Sequence, residues 1–296
     1  MVVLRSVMYT PGNNERLMES SKKLRPDVLV LDVEDSVPYP EVPKARQMIK
    51  EKLKEIEEAT GSLIYSRIHD WRTGMTEADL DALVIEGIDG FVLSKTEGAK
   101  DVYLLDNRLT QLERERGLKV GSIAIQSLIE TTRGMVLAGE AATASYRLNS
   151  FVFGALDYVL DKHARLNAAG VTVGRDWTVI AARSGNLTAI DSPYPDYKDA
   201  EGFRKDTSYG REMGYEGRML IHPSQIEPSN EIYSPSQEAV DHAKEVVALF
   251  QDAMKKGMAS VPLRGAMIDT PVYRREMGVL SRLKEIQEAE ARKKPL

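Results

Sequence analysis

Residues 28–33 read VLVLDV and residues 63–68 read LIYSRI, and the 41–58 stretch between them sets Val42, Ala45, Ile49, Leu53 and Ile56 at helical spacing. A run that is apolar nearly throughout is a strand buried on both faces, and a helix crossing between two such runs makes them parallel. The alternation extends outward in both directions. Further runs lie at 2–10 (VVLRSVMYT), 90–95 (GFVLSK), 119–129 (KVGSIAIQSLI), 149–156 (NSFVFGAL), 187–191 (LTAID) and 217–222 (GRMLIH), which makes eight candidate strands. Helical stretches separate them, among them 76–86, which opens Thr76-Glu77-Ala78-Asp79 like a helix N-terminus. Eight such units in roughly 225 residues fit a closed (β/α)8 TIM barrel better than an open doubly wound sheet, the structural alternative. After the eighth run the pattern changes. Residues 236–256 read as one amphipathic helix, 261–270 (VPLRGAMIDT) as a Gly/Pro-containing loop and 271–293 as a second long, charged helix. The expected organisation is a barrel over 1–235 and a C-terminal helical extension over 236–296.

Composition removes several kinds of function. The 296 residues include no Cys, which excludes a disulfide framework, an iron–sulfur cluster, a thiolate zinc site and a catalytic thiol. With 40 Lys+Arg against 45 Asp+Glu the formal charge is -5, a field that repels polyanions, so no nucleic-acid partner is expected. No apolar run approaches the ~18 residues of a membrane span, and the first residues, Met1 to Ser6, do not open a secretory signal. The expectation is a cytoplasmic protein with no membrane partner. Neither G-x-x-x-x-G-K-[ST] nor G-x-G-x-x-G occurs, and Ser36, Ser127 and Ser184 lack the G-x-S-x-G setting of a hydrolase nucleophile.

Active sites of such barrels form at the C-terminal ends of the strands. There the sequence places Asp32, Glu34 and Asp35 after run two, Arg67 after run three, Lys95 after run four, Glu130 after run five, Asp157 after run six, Asp191 after run seven and His222 after run eight. Charged residues are also common wherever strands reach water, so each position alone is ambiguous; the set is less so. Only four His occur, none in an i, i+4 zinc pattern. Carboxylates on adjacent strand ends suit a hard cation instead, and Mg²⁺ takes one or two of them together with water and substrate oxygens. Glu130 and Asp157 are placed to share such an ion, unless one of them is tied up by Lys95 or Arg67 in a structural ion pair. A site of this kind polarises a chelating α-keto or α-hydroxy acid, with Arg67 neutralising an oxyanion. Asn13-Asn14 after Pro11-Gly12 marks a turn whose backbone N–H groups are suited to an anion.

In these segments the chain resembles the citrate lyase β-subunit-like and malyl-CoA lyase group of the Mg²⁺-dependent HpcH/HpaI aldolase superfamily. The likeness runs from Arg5 to about Arg275, through Arg5 to Asn14, Leu31 to Val37, Arg67-Ile68, Ser94 to Glu97, Ile129 to Thr131, Gly154 to Tyr158, Gly217 to Gln225 and Gly265 to Pro271. It implies that Glu130 and Asp157 bind Mg²⁺ and that Arg67 is catalytic, contacting the reacting oxygens. It implies that Tyr9 and Asn14 join Arg67 and Glu130 in holding substrate, and that Asp32, Glu34, Asp35 and Lys95 stand behind them. It also implies that Asp269 is an acid/base supplied to a neighbouring subunit in a homotrimer or a dimer of trimers. The implied reaction is reversible Claisen cleavage of a 3-hydroxyacyl-CoA, of malyl-, citramalyl- or citryl-CoA type, into an acyl-CoA and a keto acid. CoA enters as part of the substrate. An aldolase acting on a free keto or hydroxy acid, and a non-catalytic scaffold subunit, are the alternatives. The chain departs from the resemblance at His69, where Asn is usual, and at Asp70-Trp71-Arg72-Thr73, where a neutral turn is usual. A basic residue that helps hold CoA phosphates in some members falls at Asn14 here, leaving Arg16, Lys22 or Lys23 as substitutes. Ile221-His222-Pro223 looks more like the stand-alone lyases than the subunit of a larger complex.

Overall fold

A computed structural model describes residues 2–293. The chain divides into two units, one running to Ile232 and including Lys293, the other Tyr233–Arg292. In the first, strands and helices alternate as the apolar runs require. The elements are β1 (Ser6–Pro11), α1 (Glu15–Ser21), β2 (Val28–Asp32), α2 (Val42–Thr60), β3 (Leu63–Ile68), α3 (Thr76–Leu83), β4 (Gly90–Leu93), α4 (Ala99–Glu115), β5 (Ala124–Ile129) and α5 (Thr132–Ala141). They continue with β6 (Leu148–Phe153), α6 (Ala155–Asp161), α7 (Ala168–Ser184), β7 (Thr188–Asp191), α8 (Ala200–Met213), β8 (Gly217–Leu220) and α9 (Ile226–Ile232).

The eight strands are parallel, ordered as in the sequence, and close when β1 pairs with β8 through Ser6↔Arg218, Val7↔Met219 and Met8↔Leu220. Closure excludes the open doubly wound sheet and establishes the (β/α)8 TIM barrel. Strand side chains alternate between the barrel interior and the helical layer. The interior is filled by Leu4, Val7, Val28, Val30, Tyr65, Val92, Leu128, Val152, Ile190 and Met219. The outward set packs on helices such as α2, whose Val42, Ala45, Ile49, Leu53 and Ile56 are all buried. That helix ends at Gly61, left-handed at φ 66°, a conformation that costs glycine little. Among the described residues no helix is long and apolar enough to cross a membrane.

The second unit contains α10 (Gln237–Lys255), β9 (Val261–Leu263), β10 (Ala266–Ile268) and α11 (Thr270–Arg292). The segment 261–270, expected to be a loop, is an antiparallel hairpin in which Val261 pairs with Ile268 and Leu263 with Ala266. Its two-residue turn is Arg264-Gly265, with φ of 49° and 85°, the left-handed pair that a tight hairpin turn needs. Pro262 and Gly265 read as loop residues in the sequence, but Pro is admissible in a two-stranded ribbon, where every strand is an edge. The hairpin covers Val246 and Phe250 with Ile268, and Phe250 stacks on Tyr273 at 5.0 Å.

Candidate active site

Strand alternation decides which end groups enter the barrel. Val7 on β1, Val30 on β2, Tyr65 on β3 and Leu128 on β5 belong to the interior cluster, so Tyr9, Asp32, Arg67 and Glu130, two positions further along, rise from it at the C-terminal mouth. These polar groups meet above an apolar plug, where water is scarce and electrostatic interactions are strong.

Asp32 and Arg67 form a buried fork. Arg67 Nε donates to Asp32 Oδ1 at 2.8 Å and Nη2 to Oδ2 at 2.5 Å, a geometry that β2–β3 pairing of Asp32 with Arg67 sets up. Asp32 also accepts from the Glu34 backbone N–H at 3.0 Å and from Ser36 Oγ at 2.5 Å. Burial disfavours the Asp32 carboxylate, but the Arg67 guanidinium and these hydrogen bonds outweigh it and hold its pKa below the usual range. Arg67 in turn stays protonated despite burial. Its remaining nitrogen, Nη1, lies 3.2 Å from both Asp35 Oδ2 and Glu34 Oε2, looser contacts than the fork. The guanidinium stands 5.3 Å over the Tyr9 ring. Tyr9 Oη is buried with no hydrogen-bond partner, and burial pushes its pKa up.

Lys95 bridges Glu34 and Glu130. Its Nζ donates to Glu34 Oε1 at 2.7 Å, and its backbone N–H donates to Glu130 Oε1 at 2.9 Å. Glu130 is only 2% exposed. Burial, and then the charge of Asp157, push its pKa well above the ordinary carboxylate value, and Arg67 offsets this only in part. Asp157, half-buried in the first turn of α6, is raised by burial and then by Asp35. Asp35 itself is raised by burial foremost. Gly154, between β6 and α6, makes room for Glu130: a Cβ there would stand 2.4 Å from Glu130 Oε2.

The expected residues Tyr9, Asp32, Glu34, Asp35, Arg67, Lys95, Glu130 and Asp157 are thus neighbours by hydrogen bond, ring contact or charge. Others go elsewhere. Asn14 is exposed and accepts the Leu17 N–H at 3.1 Å as the cap of α1. Lys22 is paired with Glu19 at 2.8 Å and Glu55 at 2.6 Å. Asp191 is directed outward to Arg175 of α7, with Nε–Oδ1 at 2.9 Å, and His222 caps the turn that follows it and stacks on Tyr197. Those two strand-end groups are structural. His69 is buried, with Nδ1 2.8 Å from Asp79 Oδ2. Asp269 lies in the second unit, between β10 and α11, half-buried, its Oδ1 accepting the Val272 N–H at 3.2 Å. Two groups escape the sequence reading. Ser94, whose buried Oγ has no partner, follows Val92 on the interior side of β4. Arg72 donates to the Lys95 carbonyl, a contact foreshadowed only by the unusual 70–73 stretch.

The pair Glu130 and Asp157 fits a divalent ion bound by oxygen. Burial and neighbouring acids push up the pKa of both carboxyls, neither is drawn into a direct ion pair with Lys95 or Arg67, and a cation between them relieves that repulsion. Among the described residues no three His, Asp or Glu side chains converge on one point, so two protein carboxylates with water and substrate completing the shell is the arrangement these residues can offer.

Residues 5–223 match the model of the family described as HpcH/HpaI aldolase/citrate lyase. The citrate lyase subunit beta of Leuconostoc mesenteroides subsp. cremoris is 31% identical over 278 residues, 93% of this chain and 92% of that protein. A (3S)-malyl-CoA thioesterase of Cereibacter sphaeroides is 32% identical over 267 residues, 90% of this chain and 89% of that one. Among solved structures, the protein CitE of Mycobacterium tuberculosis in complex with magnesium, acetoacetate and coenzyme A superposes with a TM-score of 0.72 at 26% identity, covering 94% of this chain and 97% of that chain.

Proposed function

Because the chain belongs to the HpcH/HpaI aldolase/citrate lyase family, we propose that it is a Mg²⁺-dependent lyase cleaving a 3-hydroxyacyl-CoA of malyl-, citramalyl- or citryl-CoA type, reversibly, into an acyl-CoA and a keto acid. That it is an enzyme of the aldolase and lyase superfamily follows from the family itself. The observation that carries the finer reading is the buried Glu130 carboxyl, bonded by the Lys95 N–H at the same mouth as the Asp32–Arg67 fork and raised in pKa by burial and then by the charge of Asp157. The magnesium and coenzyme A in the related CitE structure support the same reading.

Glu130 and Asp157 would hold the ion, which when bound supplies Lewis-acid polarisation of the chelating oxygens. The chain's own residues do the rest. Asp32 occupies Nε and Nη2 of Arg67 and fixes the plane of the guanidinium. That leaves Nη1, with its looser contacts, as the edge that meets a substrate oxygen as negative charge develops during C–C cleavage. Tyr9 Oη, buried and unpaired, supplies one further donor in the same place. By the family resemblance alone, Asp269, in the second unit, would be the acid/base that moves the proton at the acyl carbon, acting in a neighbouring subunit of a trimer.

Purified protein with Mg²⁺ and a panel of malyl-, citramalyl- and citryl-CoA should release a keto acid, and Glu130→Ala should release none. Wild type and Glu130→Ala equally inert on every member would refute the reading. Turnover of the free hydroxy acids with no measurable CoA binding would replace it with a free-acid aldolase.

A further inference from the structure

Lys95 occupies the left-handed region at φ 45°, one of four non-glycine residues to do so among those described. A Cβ makes that conformation unfavourable, so it persists only where surrounding bonds impose it. The reason for the turn is visible in the chain trace. The Ser94 N–H still bonds Ile68 O of β3 at 3.3 Å, whereas the Thr96 N–H bonds Leu128 O of β5 at 3.1 Å. Lys95 is where the backbone swings from one neighbouring strand to the other. That swing aims its N–H at Glu130 Oε1 and its Nζ at Glu34.

The bond to the remaining polar group of Lys95, its carbonyl, comes from outside the site. Arg72 Nη2 donates to Lys95 O, and the rest of the guanidinium is clamped: Nε lies 2.8 Å from Asp70 Oδ1 and Nη1 2.8 Å from Glu97 Oε2. Asp70 also accepts the Arg72 N–H at 2.9 Å. The neighbouring Trp71 Nε1 donates to Asp101 O at 3.0 Å, and Asp101 Oδ2 accepts the Glu97 N–H at 2.8 Å. The 70–73 turn after β3 is thereby stitched to the 95–101 segment after β4. Three donors of one planar group are committed in fixed directions, which a flexible ammonium does not reproduce.

We propose that Arg72 is a positioning residue: through the Lys95 carbonyl it fixes the left-handed turn, and through the Lys95 N–H it fixes the Glu130 carboxylate in the orientation that receives the divalent ion. The metal part of this statement rests on the function proposed above; the backbone part does not. Groups that orient a metal-binding side chain typically change affinity by about 10-fold to 100-fold when removed, which sets the scale expected here.

The test uses the whole 296-residue chain and two readouts. In the metal-free state, hydrogen exchange followed by mass spectrometry should show the Lys95 amide exchanging faster in Arg72→Ala, by up to about tenfold for one lost hydrogen bond to the Glu130 carboxyl, with the barrel strands unchanged. Arg72→Lys should behave as Arg72→Ala, since its single ammonium cannot hold Asp70, Glu97 and the Lys95 carbonyl together. Mn²⁺ alone, titrated calorimetrically, should bind about tenfold or more weakly to both variants. In a Lys95→Gly background, where left-handed backbone is intrinsically accessible, Arg72→Ala should add little, whereas in a Lys95→Ala background it should have its full effect. Unchanged Lys95 exchange in Arg72→Ala, full recovery in Arg72→Lys, or equal effects of Arg72→Ala in the Lys95→Gly and Lys95→Ala backgrounds would overturn the inference. If instead wild type and Glu130→Gln bind Mn²⁺ equally, the proposed function fails, and the exchange measurements still decide the role of Arg72.

Discussion

Replacing Gly154 by Ala adds a single methyl group at the wall of the Glu130 pocket. Gly154 has φ -92°, so the backbone accepts an L side chain without strain and any effect comes from the space the methyl enters. There is none: the new Cβ would stand 2.4 Å from Glu130 Oε2 and 2.5 Å from Glu130 Cβ, where ordinary contact begins at 3.4 Å. The shortfall of about 1 Å involves the root of the Glu130 side chain as well as its tip, so rotating the carboxylate away does not relieve it. Overpacking of this kind costs about 1–3 kcal/mol. Loss of unfolded-state freedom returns about 0.4–1 kcal/mol, leaving a net destabilisation of up to about 2.6 kcal/mol. Because Glu130 is what moves, Mn²⁺ affinity should fall by about tenfold or more. Gly139 on α5 is the control, since a Cβ there meets nothing within 4 Å; Gly139→Ala should stabilise by about 0.5–1 kcal/mol and leave metal binding alone. Urea unfolding and calorimetric Mn²⁺ titration of the three proteins decide the matter. A Gly154→Ala protein matching wild type in both would refute the steric reasoning and the placement of Glu130 with it.

Glu130 also sets a pH dependence. Its pKa is raised above the ordinary glutamate value of 4.5, so above that pH the folded, metal-free protein keeps a proton that the unfolded chain releases. Stability through this group is therefore full below pH ~4.5 and declines as pH rises towards the raised value; thermal melts from pH ~4.5 upward should show the decline in wild type and lose part of it in Glu130→Gln. A divalent ion bound there, as proposed, would expel that proton, so Mg²⁺ affinity should rise with pH over the same interval, and a chelator should abolish cleavage until Mg²⁺ is restored. Arg67→Ala strands the buried Asp32 carboxylate, a change costing about 3–5 kcal/mol in denaturant unfolding and eliminating turnover, and Arg67→Lys should recover little because it cannot form the fork. Asp269→Asn keeps a side-chain oxygen for the Val272 N–H, so its stability should lie within about 0.5 kcal/mol of wild type while cleavage is lost. Mixing it with Arg67→Ala should restore part of the activity if the residue serves a neighbour, and no recovery on subunit exchange would place it in its own chain's site.

The eight apolar runs declare the barrel because a strand covered on both faces has little room for polar side chains, and Leu29, Leu31, Val30 and Phe91 leave no other use for their segments. The ends of most runs are nearly as plain, but the sixth, read to residue 156, stops at Phe153 and leaves Asp157 in α6, and the eighth, read to 222, stops at Leu220. What the runs do not declare is the side to which an end residue turns. Asp191 and Asp32 both close apolar strands, yet two-residue alternation sends one out to Arg175 and the other in to Arg67; counting back to Ile190 and Val30 in the interior cluster separates them, but only once the cluster is known. Arg72 is harder still. Its partner lies 23 positions away, across a turn whose left-handed residue is a lysine and so carries none of the glycine signal that marks such turns. The hairpin at 261–268 was hidden for the opposite reason, since Pro262 and Gly265 do mark a break but not the pairing on either side of it.

The β1–β8 seam has a temporal side. Val7 and Met219 are roughly 210 positions apart, so at translation rates of about 5–20 residues per second the partner of β1 follows it out of the ribosome by about 10–40 s. Throughout that interval the Val7 and Met8 edge has unpaired backbone groups and an apolar flank, the combination that invites another chain to add a strand. The finished barrel leaves no edge open; until the last strand is made, the edge of β1 lacks the β8 partner that covers it.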